Sequence, residues 1–179
     1  MTCGSRSDAC VSKYTETTAD GYLKKEFLRS CGTFSENCNR IESLTSQHLE
    51  IRGNSTCCTT NDCLPPTPTV PVTGTTLNGV MCRTCVTGDS TYCYTRDTIE
   101  CKGIQNKCVH LGIKTTGKVY STVAFRGCGS PHLCATGTFV STSEDVTTEI
   151  TMQCSDSAIR PEHGLFLTAI TFLLLKLLH

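Results

Sequence analysis

Fifteen cysteines stand in a chain of 179 residues, and their spacing repeats. The first group is Cys3, Cys10, Cys31, Cys38, Cys57, Cys58 and Cys63. The second is Cys82, Cys85, Cys93, Cys101, Cys108, Cys128, Cys134 and Cys154. The step from Cys3 to Cys10 equals the step from Cys101 to Cys108. The next three steps, through Cys31 and Cys38 to Cys57, nearly equal those through Cys128 and Cys134 to Cys154. Self-similarity of this kind marks tandem units. In this register the first unit lacks counterparts of Cys82, Cys85 and Cys93, so it is expected to begin in mid-domain.

Such a cysteine density in a short chain points to a disulfide scaffold. Disulfides persist in oxidising compartments, which places the protein outside the cytosol, secreted or at the cell surface. Each unit spans roughly 60–75 residues, a size at which a hydrophobic core alone is marginal and crosslinks supply the rest. A disulfide closing a loop of about 20 residues contributes on the order of 3 kcal/mol in the chain-entropy model. Tryptophan is absent, in keeping with a thin sheet. Net charge is zero and no long run of one sign occurs, which argues against nucleic acid and against an electrostatic membrane patch. Met1-Thr2-Cys3 enters the array with no apolar leader, so the sequence reads as a truncated gene model or a fragment. The alternative, a cytosolic chain with reduced thiols, fits two matched cysteine arrays poorly.

Residues 1–63 form the incomplete first repeat, 64–78 a Pro/Thr-rich linker and 79–154 the second repeat. Four of the six prolines lie in the linker, which is expected to be extended and semi-rigid. Glu26–Ser30, Val119–Arg126, Thr138–Val140 and Thr147–Gln153 carry strand signals: β-branched and aromatic residues, or alternation into a cysteine. No stretch before residue 160 has helical periodicity, and the class is all-β. The even count of cysteines in the second repeat predicts that it folds alone. The first repeat is expected to be the weaker half.

The tail differs. Leu165 to Leu178 is almost wholly apolar, interrupted by Thr168, Thr171 and Lys176. It is shorter than the about 20 residues a membrane helix needs. A small-residue cluster, Ser155–Ala158, and a polar spacer, Ile159–Gly164, precede it. That order is the signal for a glycolipid anchor, with Ser155 as the expected attachment site and Asp156 the near alternative. An unused apolar tail and a short membrane helix are the competing readings.

Cys82-Arg83-Thr84-Cys85 is a C-x-x-C, but a redox motif needs a thioredoxin-like βαβ setting and zinc needs a second ligand pair. Structural disulfides are the preferred reading. Cys57 and Cys58 are adjacent and cannot pair without strain, so one reaches back and the other forward. The histidines His48, His110, His132, His163 and His179 are scattered and read as solvated or packed. No catalytic constellation, cofactor motif or metal-ligand spacing is visible. Asn54-Ser55-Thr56 is an N-glycosylation acceptor at Asn54.

The order C-x-x-C, Cys, C-x6-C, a strand, Cys, then a finger closed by a double cysteine and a C-x4-C ending resembles the three-finger domain. This is the domain of the urokinase receptor, the lymphocyte antigen six proteins and snake neurotoxins. The resemblance covers residues 1–154, and its specificity lies in the spacing. Within that family the tandem looks most like the two-domain gamma-type phospholipase A-2 inhibitors. The first repeat ends in the double cysteine, and the second ends at the lone Cys154. Cys101–Leu111 and Arg126-Gly127-Cys128 also look like that subfamily. Leu64 stands where the family has a terminal Asn.

The resemblance implies two tandem three-finger β domains, the first truncated at its N-terminus. It also implies the pairs Cys3–Cys31, Cys38–Cys57, Cys58–Cys63, Cys82–Cys108, Cys85–Cys93, Cys101–Cys128 and Cys134–Cys154. Cys10 is left unpaired, because its implied partner is the domain's first cysteine. The implied function is that of a non-catalytic extracellular protein-binding module. It would be phospholipase-inhibitor-like or a cell-surface receptor or adhesion protein, with a secreted phospholipase among the expected partners. Membrane contact is expected only through the C-terminal lipid anchor. The contrasting class, a secreted enzyme, lacks a catalytic group in the sequence.

Overall fold

The computed structural model describes residues 3, 7–60, 62–70, 72, 74–135, 137–143 and 145–156. In chain order the elements are β1 (Ala9–Ala19), β2 (Tyr22–Gly32), α1 (Phe34–Asn37), β3 (Ile41–Thr45), β4 (Leu49–Cys58), β5 (Leu77–Arg83), β6 (Cys85–Thr87), β7 (Thr98–Lys102), β8 (Lys107–Gly117), β9 (Ser121–Gly129), α2 (Pro131–Cys134), β10 (Phe139–Ser143) and β11 (Val146–Ser155). The two helices are single turns of four residues, and the class is all-β.

Long hairpins dominate. β1 and β2 pair over eleven residues each and are joined by Asp20-Gly21. Both turn residues have positive φ, 48° and 85°, the conformation of a tight two-residue hairpin turn whose twist matches the strands. β1 also pairs with β4, and β8 lies between β9 and β11, so each repeat has a long strand laddered on both sides. The strands read from sequence lie inside these hairpins. Glu26–Ser30 falls in β2, Thr147–Gln153 in β11 and Thr138–Val140 at the start of β10. β9 begins at Ser121 rather than at Val119, because Val119 and Tyr120 form the exposed turn before it.

Among the described residues neither repeat holds a large aliphatic core. In the second, the buried cluster is Cys82, Cys101, Cys108 and Cys128, with Val80 and Ile99 against it. Two disulfides, Cys82–Cys108 and Cys101–Cys128, cross there and fill the space that aliphatic side chains occupy in larger domains. In the first, Ala9, Val11 and Leu44 are the buried aliphatic residues.

The two repeats share one sheet of strand order β10-β11-β8-β9-β3-β4-β1-β2, with β6 added on β9, while β5 and β7 form a separate pair. The junction is β3 against β9, where Leu44 faces Gly129 and Thr45 faces Cys128. Buried hydroxyls and an amide complete it. Gln105 Nε2 donates to Ser43 Oγ at 2.7 Å and to Thr45 Oγ1 at 2.6 Å. Ser46 Oγ donates to the Arg126 carbonyl at 2.9 Å and lies 3.2 Å from Thr84 Oγ1. The Ser130 amide donates to the Ser43 carbonyl at 2.8 Å, and the Ser43 amide donates back to Ser130 Oγ at 3.1 Å.

The segment read as a linker lies along the first repeat. Pro65 and Pro68 are buried. Asn54 Nδ2 donates to the Thr69 carbonyl at 2.8 Å, Ser12 Oγ to the Pro65 carbonyl at 3.5 Å, and Thr56 Oγ1 to the Pro66 carbonyl. β5 begins at Leu77, two residues before the sequence-based start of the second repeat at residue 79. Among the described residues no helix is long and apolar enough to cross a membrane.

Candidate binding cleft and finger surfaces

Residues 88–97, between β6 and β7, fold back onto the face of β8 and β9. Gly112 makes this approach possible: the Thr91 carbonyl oxygen lies 2.6 Å from where a β-carbon on Gly112 would sit. The Cys85–Cys93 disulfide ties the returning loop to β6. His110 Nε2 lies 3.2 Å from the Thr91 carbonyl. A carbonyl only accepts, so Nε2 carries the proton. His110 Nδ1 is buried and has no hydrogen-bond partner among the described residues.

Tyr92 caps this arrangement. Its ring lies 4.6 Å from that of His110, edge to face, and 4.5 Å from that of Tyr94. The Arg126 guanidinium stands 5.5 Å from the Tyr92 centroid, and Arg126 Nη1 donates to the Tyr92 hydroxyl at 3.3 Å. Tyr94 is 90% exposed.

Strand register explains why these side chains meet. Gln153 of β11 faces His110 of β8, which faces Arg126 of β9, which faces Cys85 of β6. Residues directly opposite one another point to the same face of a sheet. Beside this row opens a cleft of about 190 Å³ lined by Arg83, His110, Arg126, Gln153, Cys154 and Ser155, among others, with no carboxylate. Arg83 Nη1 donates to the Arg96 carbonyl. Neither Arg83 nor Arg126 forms an ion pair among the described residues. A second, more apolar cleft of about 360 Å³ lies between the repeats, lined by Asn39, Ile41, Ile104 and Pro131 among others.

The sheet edges and hairpin turns carry many of the exposed apolar residues. On β2 these are Tyr22, Leu23, Phe27 and Leu28, and on β10 Phe139 and Val140. Val119 and Tyr120 sit at the β8–β9 turn. β2 is exposed on both faces from Tyr22 to Arg29, because β1 is its only neighbour and nothing packs above or below it among the described residues.

The cysteines are joined Cys3–Cys31, Cys38–Cys57, Cys58–Cys63, Cys82–Cys108, Cys85–Cys93, Cys101–Cys128 and Cys134–Cys154, and Cys10 is free. Cys10 Sγ lies 3.9 Å from Cys3 Sγ. Cys82, Cys101 and Cys128 cluster at metal-ligand distance, but each is in a disulfide and none offers a thiolate. Asn54 lies within β4, with its Nδ2 engaged by Thr69 and its Oδ1 accepting from the Ser55 amide at 2.8 Å. Ser155 ends β11, opposite Cys108. Asp156 follows it, exposed, with its carboxyl held below the usual range by a hydrogen bond from Lys107 and by that lysine's charge. His132 Nδ1 lies 2.7 Å from Arg40 Nη1. His48 stands 3.9 Å from Asp20. His163, His179 and the apolar run from Leu165 to Leu178 lie outside the described residues.

The group of Tyr92, His110 and Arg126 has no local signature in the sequence. Its members come from three elements and meet only through register. The nearest usable signal is Gly112, a glycine inside a strand pattern, which marks a close backbone approach.

No family model matches the chain. Curated proteins similar to it include three phospholipase A2 inhibitors of snakes. Phospholipase A2 inhibitor NAI of Notechis ater is 31% identical over 140 residues, 74% of this chain and 67% of that one. A 25 kDa phospholipase A2 inhibitor component of Naja kaouthia is 29% identical over 75% of this chain and 73% of its own. A gamma-type phospholipase A2 inhibitor of Laticauda semifasciata is 30% identical, covering 75% of each. Among solved structures, the crystal structure of mouse TEX101 is similar with a TM-score of 0.36 and 19% identity, over 87% of this chain and 86% of that one. The chain belongs to the family of gamma-type phospholipase A2 inhibitors, proteins of the three-finger type.

Proposed function

We propose that this protein is a non-catalytic extracellular binding module whose partner is a secreted phospholipase A2, held on the finger surfaces and the clefts beside them. The observation that carries this reading is similarity, over about three quarters of the chain, to proteins named as phospholipase A2 inhibitors. The surface agrees with it in kind. Exposed aromatic side chains, such as Tyr22, Phe27, Tyr94 and Tyr120, are among the types that dominate protein interfaces. They sit on a scaffold made rigid by seven disulfides, which limits the ordering cost of binding. The test is direct binding. Immobilised protein should retain a secreted phospholipase A2 from solution, and no retention of any member tested would refute the reading.

A second reading, a cell-surface receptor or adhesion protein, draws on one observation: the small cluster at Ser155, the polar spacer and the apolar run to Leu178. In that reading the partner meets the same finger surfaces from a neighbouring cell or from solution. Release of the protein from transfected cells by a phosphatidylinositol-specific phospholipase supports it. A mature peptide ending at His179 on a secreted product rejects it.

A further inference from the structure

Arg83 and Arg126 converge on one cleft from different strands, and neither meets a carboxylate among the described residues. Each guanidinium is nonetheless held by the protein: Arg83 by the Arg96 carbonyl, Arg126 by the Tyr92 hydroxyl and ring face. Both anchors use Nη1, which leaves the other guanidinium donors unspent. His110, Gln153 and Ser155 add polar groups to the same lining. An arginine held in place without its anion is a fork already oriented for one.

We infer that this cleft is an oxyanion site, and that it takes the carboxylate of an acidic segment on the protein partner. The inference rests on the reading of the protein as a protein-binding module and supplies the chemistry of one contact. Two observations favour a carboxylate over a phosphate. First, His110, Arg126 and Gln153 lie inside paired strands, so their backbone N–H groups belong to the ladder and form no phosphate-cradling nest. Second, Tyr94 projects beside the Arg126–Tyr92 stack and offers an aromatic surface to the rest of a peptide. Planar guanidinium forks match the planar carboxylate in two parallel hydrogen bonds. Desolvation in a cleft strengthens that contact relative to an ion pair on an open face.

The experiment titrates the full-length, isotope-labelled protein with tetraglutamate peptide, and separately with inorganic phosphate, following backbone and side-chain resonances. The peptide should shift His110, Arg126 and Gln153 more than any residue of the first repeat. The double variant Arg83→Gln/Arg126→Gln should weaken peptide binding by about ten-fold or more, the loss expected when both charge-assisted forks go. Lys114→Gln, on the same strand β8 but outside the cleft lining, should leave it unchanged. Arg126→Lys keeps the charge without the fork and should fall between. If Arg126→Gln perturbs the fold through Tyr92, Arg83→Gln alone still reads the opposite wall. Unchanged affinity in the arginine variants, or shifts confined to other faces, would overturn the site. Tighter binding of phosphate than of peptide would overturn the carboxylate assignment. The titration uses no phospholipase, so its failure leaves the binding-module reading standing.

Discussion

The carbonyl oxygen of Thr45 fills the space that a β-carbon on Gly127 would need. Thr45 belongs to the first cysteine array and Gly127 to the second, so this contact measures how closely the repeats approach. Backbone, not a flexible side-chain end, occupies the space. Gly127→Ala therefore forces β3 and β9 apart, and overpacking of this kind costs about 1–3 kcal/mol. Gly88→Ala is the control, because nothing lies within 4 Å of its β-carbon position. Denaturant unfolding should separate the two, with Gly127→Ala unfolding at markedly lower denaturant and Gly88→Ala unchanged or slightly stabilised.

Gln105 is the polar centre of the same junction, 4% exposed and bonded to Ser43 and Thr45. Gln105→Ala removes two hydrogen bonds and leaves the buried Ser43 hydroxyl and the half-buried Thr45 hydroxyl short of a donor. A loss of about 1–3 kcal/mol is expected. Hydrogen exchange should quicken in β3 and β9 together. Quickening in one repeat alone would mean that the junction does not couple them.

The fold was legible where a strand shows on its surface pattern. Val119–Arg126 and Thr147–Gln153 were readable because β-branched residues alternate there and run into a cysteine. β1 was not, because Ser12, Lys13, Thr15, Glu16 and Thr17 make it polar. It is held by ladders on both sides, and its buried apolar residues, Ala9 and Val11, lie only at its start. Its hairpin did leave a signal in Asp20-Gly21, a dipeptide that favours this turn. The sharing of one sheet by both repeats was invisible, since it depends on the short β3–β9 pairing between residues more than 80 positions apart. The His110–Arg126–Gln153 row was invisible for the same reason. Register is a property of three strands at once, and no one of them encodes it.

Cys10 should behave as one accessible thiol. It faces Cys31 across β2 and Cys58 across β4, both of which are in disulfides. Alkylation of the native protein should add one label per chain, lost in Cys10→Ser. Disulfide-linked dimers on non-reducing gels should disappear with the same substitution. Two labels, or a mapped intrachain bridge to Cys10, would contradict the arrangement.

Lys107 and Asp156 close the end of β11 and give it a sign in pH. A carboxyl whose folded pKa is lowered contributes stability above its unfolded pKa and loses it as pH falls through the folded value. The contribution of the exposed Asp156 should therefore be complete at neutral pH and vanish in acid below the usual carboxylate range. Its side-chain resonance should titrate below the ordinary value of 3.8 in the native protein and return toward it in Lys107→Ala. Salt should shrink the difference, because the pair is exposed.

If the proposed partner is a secreted phospholipase A2, binding by this disulfide-held sheet should slow the enzyme. The most direct measurement is the rate of phosphatidylcholine hydrolysis by a secreted phospholipase A2 at fixed enzyme and rising concentrations of the full chain. The rate should fall and saturate near a fixed stoichiometry. Arg83→Gln/Arg126→Gln should shift the curve to higher concentration while Lys114→Gln does not. Undiminished hydrolysis by every secreted phospholipase A2 tested, with the protein in large excess and its disulfides intact, would contradict it.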